Sequence, residues 1–199
     1  MNFNVIKTPD IHPALYGLGF NKGVTSDMNY SDFYQNDSLV VKMIAVADKL
    51  SKLSPEHKKF LRQIEVIIQI NAPRYFWSEF DTYKVGTTAQ SESTMHTILK
   101  TNLTRSNFQT ETFDEVDCAQ QFINRVERIK EYIGLTDVDK LITIKRILPE
   151  SFKQMRLVTM NYEVLANIIR QRKSHRLPEW KDFCSRIADM IPMSHWIIN

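Results

Sequence analysis

From Val116 onward the apolar residues return every three or four positions: Val116, Ala119, Phe122, Ile123, Val126, Ile129 and Ile133. That period lays one apolar stripe along a helix of about five turns, and a stripe of that length must be buried against other elements. The same spacing recurs in Val40, Met43, Ile44, Ala47 and Leu50, after Ser38 as a cap for a helix beginning at Leu39. Ser54-Pro55-Glu56 reads as another helix start, with Phe60, Leu61, Ile64, Ile67 and Ile68 on its inner face. Gly134 ends the long helix. Thr136-Asp137 opens the next, with Leu141, Ile144 and Ile147 inside and Pro149 beyond its end. Asn161 caps a helix through Leu165 and Ile168 to about Lys173, and Glu179 to about Ile191 forms the last. Strands are expected near Phe3–Ile6 and at Arg156–Met160. Pro9, Pro13, Gly17, Gly19 and Gly23 mark residues 1–37 as an irregular N-terminal segment. The expectation is a single α+β domain over 1–199, helix-rich with a small central sheet.

The 199 residues are 43% hydrophobic and 11% aromatic, enough for a core and against disorder. A net charge of +3, from 26 basic and 23 acidic residues, gives no reason to expect a nucleic-acid or membrane partner. Two cysteines, Cys118 and Cys184, exclude a disulfide framework and read as reduced, small buried hydrophobes. The five histidines hold no metal-ligand spacing, so no metal is expected. No apolar run approaches the roughly 20 residues of a membrane span, and the first residues lack the apolar stretch of a secretory signal. A soluble, cytoplasmic protein is the expectation, in host cytoplasm if phage-encoded.

Two segments carry candidate chemistry. Between Thr82 and Thr97 lie eight hydroxyl-bearing residues, with Glu79, Asp81 and Lys84 close by. Ser91 and Ser93 can donate to a phosphate and Lys84 can supply charge, while Gly86 lets backbone approach a ligand. Trp77, Phe80 and Tyr83 offer an apolar lining. The plain alternative is a solvated loop of turns and caps. In the second segment Arg170, Arg172, Lys173, His175 and Arg176 crowd a helix end, with Trp180 just beyond. They read either as cations on a helix dipole or as an anion clamp.

Taken together, Leu148-Pro149, Val158-Thr159-Met160-Asn161, Arg170-Gln171-Arg172 and Pro178-Glu179-Trp180 resemble the C-terminal part of the flavin-dependent thymidylate synthases, the thymidylate-synthase-complementing (ThyX) family. The likeness spans about residues 148–187 and is nearest to the divergent, phage-carried branch. The family's central signature is Arg-His-Arg followed after seven residues by Ser-x-Arg-Tyr. Anchored on Ser91, the Arg-His-Arg places hold Asp81, Thr82 and Tyr83, and the second half reads Ser91-Glu92-Ser93-Thr94. The resemblance implies a ThyX-like fold and a homotetramer holding nucleotide and FAD between chains. It implies nucleotide contacts at Tyr83, Lys84, Gln90, Ser91, Ser93 and Arg172, and cofactor contacts at Trp77, Asp81, His96 and Asn161. No catalytic residue is assigned. The leading expectation is a flavin-dependent, thymidylate-synthase-type enzyme acting on dUMP or a related nucleotide. The alternative is a catalytically inactive binder that sequesters a nucleotide signal, as in phage counter-defence. A ligand-free structural protein is the third.

Overall fold

The computed structural model describes residues 1–198. Four strands are assigned among them: β1 (Asn2–Lys7), β2 (Glu65–Pro73), β3 (Thr87–Ser91) and β4 (Lys153–Asn161). They form one small antiparallel sheet in the order β1-β2-β4-β3. The α-helices are α1 (His12–Phe20), α2 (Tyr30–Tyr34), α3 (Asp37–Leu50), α4 (Arg74–Phe80), α5 (Thr94–Thr97), α6 (Phe113–Glu131), α7 (Asp137–Ile147), α8 (Tyr162–Arg172) and α9 (Pro178–Met190). The fold is the expected helix-rich α+β class.

The chain divides into two compact units. The first comprises residues 1–2, 70–82 and 90–156. Its core joins Ala119, Phe122, Ile123 and Val126 of α6 to Ile144 of α7, with Ile98, Leu103, Phe108, Leu148 and Phe152. The α6 stripe is therefore buried as its period requires. A reciprocal cap starts that helix: Thr112 Oγ1 accepts from the Glu115 amide at 3.3 Å, and Glu115 Oε2 accepts from the Thr112 amide at 2.9 Å. The helix stops at Glu131, before Gly134, because Tyr132 turns extended; Ile133 is 99% exposed and leaves the stripe.

The second unit comprises, among the described residues, 3–69, 83–89 and 157–198. Leu15, Phe33, Met43, Ala47, Tyr162, Leu165, Trp180 and Phe183 are buried in it. Asn161 Oδ1 accepts from the Val164 amide at 3.0 Å and starts α8, as its residue type suggests.

Three expectations are corrected. Residues 12–20 and 30–34 are helical, so the N-terminal segment is not irregular; Pro13 sits in the first turn of α1, where its missing N–H costs nothing. Asn36, not Ser38, caps α3, accepting from the Leu39 amide at 3.1 Å. The largest departure is the helix drawn through Phe60–Ile68. Residues 55–57 and 59–63 are short 3-10 turns, and Glu65–Pro73 is β2. Val66, Ile68 and Ile70 are all fully buried, which is a two-residue period. The β-branched run favours a strand over the helix that the same residues fit by spacing.

Candidate functional site

The second unit places Tyr83 against the end of α8. Arg172 Nε donates to Tyr83 Oη at 2.8 Å, and that hydroxyl donates to Gln171 Oε1 at 2.9 Å. The guanidinium lies 5.4 Å from the Tyr83 ring centre and 5.0 Å from that of Trp180, within cation–π range of both. Trp180 is fully buried and Tyr83 is buried, so two sheltered rings and the Tyr83 hydroxyl help hold the Arg172 head. Cys184 lies close enough to feel the Arg172 charge, yet burial dominates and pushes its thiol up to about 11.

Tyr83 also lines a cavity of about 530 Å³, a volume in the range of small-molecule sites. Leu61, Val85, Val164 and Trp196 supply apolar walls. Lys58 and Arg170 bring positive charge to the lining, and Asn167 an amide. Asn167 Oδ1 accepts from Arg170 Nη2 at 2.7 Å and from Gln171 Nε2 at 3.0 Å, which fixes the amide's orientation. Glu163, also in the lining, is spanned by Arg62 at 2.7 and 3.0 Å. The turn that delivers Val85 depends on Gly86, whose φ is +89° and whose absent Cβ would sit 2.7 Å from Val164 Cγ2.

Tyr83 and Arg172, named from separate segments, are thus in contact. Arg172 is not among the lining residues; it stands behind Tyr83, and Lys58 and Arg170 are the lining cations. Lys84 is exposed on the same turn. Gln90 and Ser91 belong to the first unit, exposed at the end of β3; Ser93, half-buried, precedes α5, and His96 is exposed on it. Trp77 is 1% exposed, donates its indole N–H to the Gln154 carbonyl at 2.9 Å and is covered by the Arg156 guanidinium at 4.3 Å. Asp81 accepts from Arg156 Nη1 at 2.6 Å. Cys118 is exposed rather than buried, because it falls on the outer side of α6.

The residues named for a flavin fit it poorly. Trp77 is core, Asn161 is occupied as the α8 cap, and Asp81 brings negative charge where a pyrophosphate needs cations. Arg170 was named only within the helix-end cation cluster, and Lys58, Asn167 and Trp196 of the cavity escaped the sequence reading; the three-residue step from Asn167 to Arg170 along one helix face was the available signal for Asn167.

The described residues hold no His, Cys, Asp or Glu cluster suited to a metal, and no described helix is long and apolar enough to cross a membrane.

The class this architecture defines is the fold of the flavin-dependent thymidylate synthases. A ThyX structure from Helicobacter pylori, complexed with FAD and dUMP, matches with a TM-score of 0.72 over 100% of this chain and 97% of that one, at 17% identity. A second Helicobacter pylori ThyX structure with FAD and dUMP gives 0.73 over the same shares at 16% identity. A UMP/dUMP methylase, PolB from Streptomyces cacaoi bound with 5-Br dUMP, gives 0.64 over 98% and 92% at 15% identity. No protein-family model and no curated protein sequence matches the chain.

Proposed function

We propose that this protein binds a pyrimidine deoxynucleotide of the dUMP type in the Tyr83 cavity. The observation that carries the reading is the Tyr83–Arg172 contact beside a cavity with two cations and an oriented amide, in a chain that follows the ThyX fold throughout. An aromatic wall suits a pyrimidine ring, Asn167 offers its amide N–H donors while Arg170 and Gln171 take its oxygen, and Lys58 and Arg170 suit a phosphate. Arg172 holds the Tyr83 ring in place. Lys84, on the same turn as Tyr83, is proposed as a further donor to the same nucleotide.

Flavin-dependent transfer to that nucleotide is the enzymatic form of the reading, and the neighbours with FAD and dUMP support it. A specific observation favours the second form, a binder that sequesters the nucleotide without catalysis. The Arg-His-Arg places hold Asp81, Thr82 and Tyr83, with Asp81 already engaged by Arg156 and Tyr83 by Arg172. Self-association, as a homotetramer, is proposed with either form; the exposed apolar Phe113, Tyr132, Ile133 and Val138 support it.

The test is the purified protein's visible spectrum, mass spectrometry of what it releases on denaturation, and a calorimetric dUMP titration. Flavin absorption supports the enzyme. Colourless protein that binds dUMP supports the sequestering form. Colourless protein that releases nothing and gives no dUMP heat refutes nucleotide binding.

A further inference from the structure

In the second unit, α1 and α2 bury Leu15 and Phe33 and leave other aromatic rings on the surface: Phe20 is 49% exposed, Tyr34 53% and Tyr30 37%. Exposed apolar side chains scattered singly are ordinary. These rings are joined. The ring centres of Tyr16 and Phe20 lie 4.9 Å apart, those of Tyr16 and Tyr30 5.5 Å, and those of Tyr30 and Tyr34 6.2 Å. His12 continues the strip, its ring centre 4.7 Å from that of Tyr34.

The rings are held in place by the chain itself. Tyr16 Oη donates to the Met28 carbonyl at 2.5 Å, Thr25 Oγ1 donates to the Tyr16 carbonyl at 2.8 Å, and buried Phe33 backs the Tyr16 ring at 5.5 Å. Asn29 Oδ1 accepts from the Asp32 amide at 2.9 Å and starts α2, which sets Tyr30 and Tyr34 one turn apart on one face. Asp10 Oδ1 pairs with His12 Nδ1 at 2.8 Å, which fixes the imidazole against Tyr34. Rings fixed in this way lose little freedom when a partner covers them.

The charge around the strip has one sign. Residues 8–37 carry Asp10, Asp27, Asp32 and Asp37, all exposed, against Lys22, in a chain whose net charge is +3. Lys7 and His12 offset Asp10. Asp27, Asp32 and Asp37 have no ion-pair partner among the described residues. Burial, and then the Asp10 charge, push the Tyr30 phenol above its ordinary value, so a carboxylate field reaches the rings. Aromatic faces and carboxylates both attract cations. A guanidinium is planar and weakly hydrated, stacks on aromatic rings and pairs with carboxylates, so it satisfies both features at once. The same charge repels nucleic acid and anionic lipid.

We propose that the Phe20–Tyr16–Tyr30–Tyr34 strip is a docking surface for a basic segment of another protein, one that lays arginine side chains across the rings. The proposal does not rest on the nucleotide reading of the Tyr83 cavity, and failure of dUMP to bind would leave it standing.

The test is fluorescence anisotropy of a short labelled peptide of alternating glycine and arginine, titrated with the full chain at low ionic strength. Wild-type protein should bind it saturably, and more weakly as salt rises. Tyr34→Ala should weaken binding about two- to fivefold, and Tyr30→Ala with Tyr34→Ala about fivefold or more, the loss of one and then two exposed cation–π contacts. Tyr34→Phe, which keeps the ring, should stay within about twofold of wild type as a fold control. Asp27→Asn should weaken binding and flatten its salt dependence. The same peptide with citrulline for arginine, equal in shape and uncharged, should lose most of its affinity. No binding by wild type, unchanged affinity in the double ring variant, or equal binding of the citrulline peptide overturns the docking surface. Sedimentation in which Tyr34→Ala dissociates a wild-type oligomer also overturns it, because a second copy of the chain then covers the strip.

Discussion

Replacing Tyr83 by Phe removes one oxygen and leaves the ring that lines the cavity. That oxygen accepts from Arg172 Nε at 2.8 Å and donates to Gln171 Oε1 at 2.9 Å. A hydrogen bond to a charged group contributes about 1.5–3 kcal/mol and a neutral one about 0.5–1.5 kcal/mol. Gln171 is exposed, so water replaces its partner at little cost. Arg172 is half-buried and keeps both ring contacts, so the lost Nε contact should cost near the lower end of its range. The sum is about 2 kcal/mol. For a chain of this size each kcal/mol moves Tm by about 2–4 °C, so Tyr83→Phe should melt about 4–8 °C below wild type. Urea unfolding should show a lower midpoint at unchanged slope. If dUMP binds where proposed, its Kd should rise several-fold as the ring loses its anchor. A Tyr83→Phe protein melting within about 1 °C of wild type would refute the claim that this hydroxyl organises the α8 end of the site.

Gly86→Ala places a Cβ at φ +89° and 2.7 Å from Val164 Cγ2, so it should destabilise by more than about 1 kcal/mol, read by urea unfolding; wild-type stability would contradict that geometry. Asp48 accepts from Trp196 Nε1 at 2.6 Å and pairs with His195 Nε2 at 2.7 Å, bonds that hold its carboxyl below the usual carboxylate range. A folded-state pKa held below the unfolded one contributes stability above about pH 4 that is lost as pH falls through the folded value. Asp48→Asn should flatten that acid limb in pH-dependent melting, and an unchanged limb would count against it. Native protein should titrate one thiol with an aromatic disulfide reagent, Cys118, because Cys184 is buried with its pKa pushed up to about 11; denatured protein should titrate two.

The helical half of the fold was legible because its signals are local. The α6 stripe, the Thr136 start of α7 and the Asn161 cap of α8 each lie within a few residues of one another, and local spacing is what a helix reads. β2 was hidden because Phe60, Leu61, Ile64, Ile67 and Ile68 satisfy a helical period by coincidence. Only burial separates that pattern from the Val66-Ile68-Ile70 alternation. At the site, Tyr83 and Arg172 were legible one at a time, but their contact spans 89 positions, which residue spacing cannot encode. Trp77 was read as lining for a ligand, and its helix turns it into the core.

The central claim is that the Tyr83 cavity holds a pyrimidine nucleotide, and 5-bromo-dUMP tests it most directly, since bromine can be located by anomalous X-ray scattering. Crystals of the protein grown with this compound should give one bromine peak per chain inside the cavity, beside the Tyr83 ring and within reach of the Asn167 amide. A bromine peak elsewhere on the chain, or none at saturating ligand, would contradict the account.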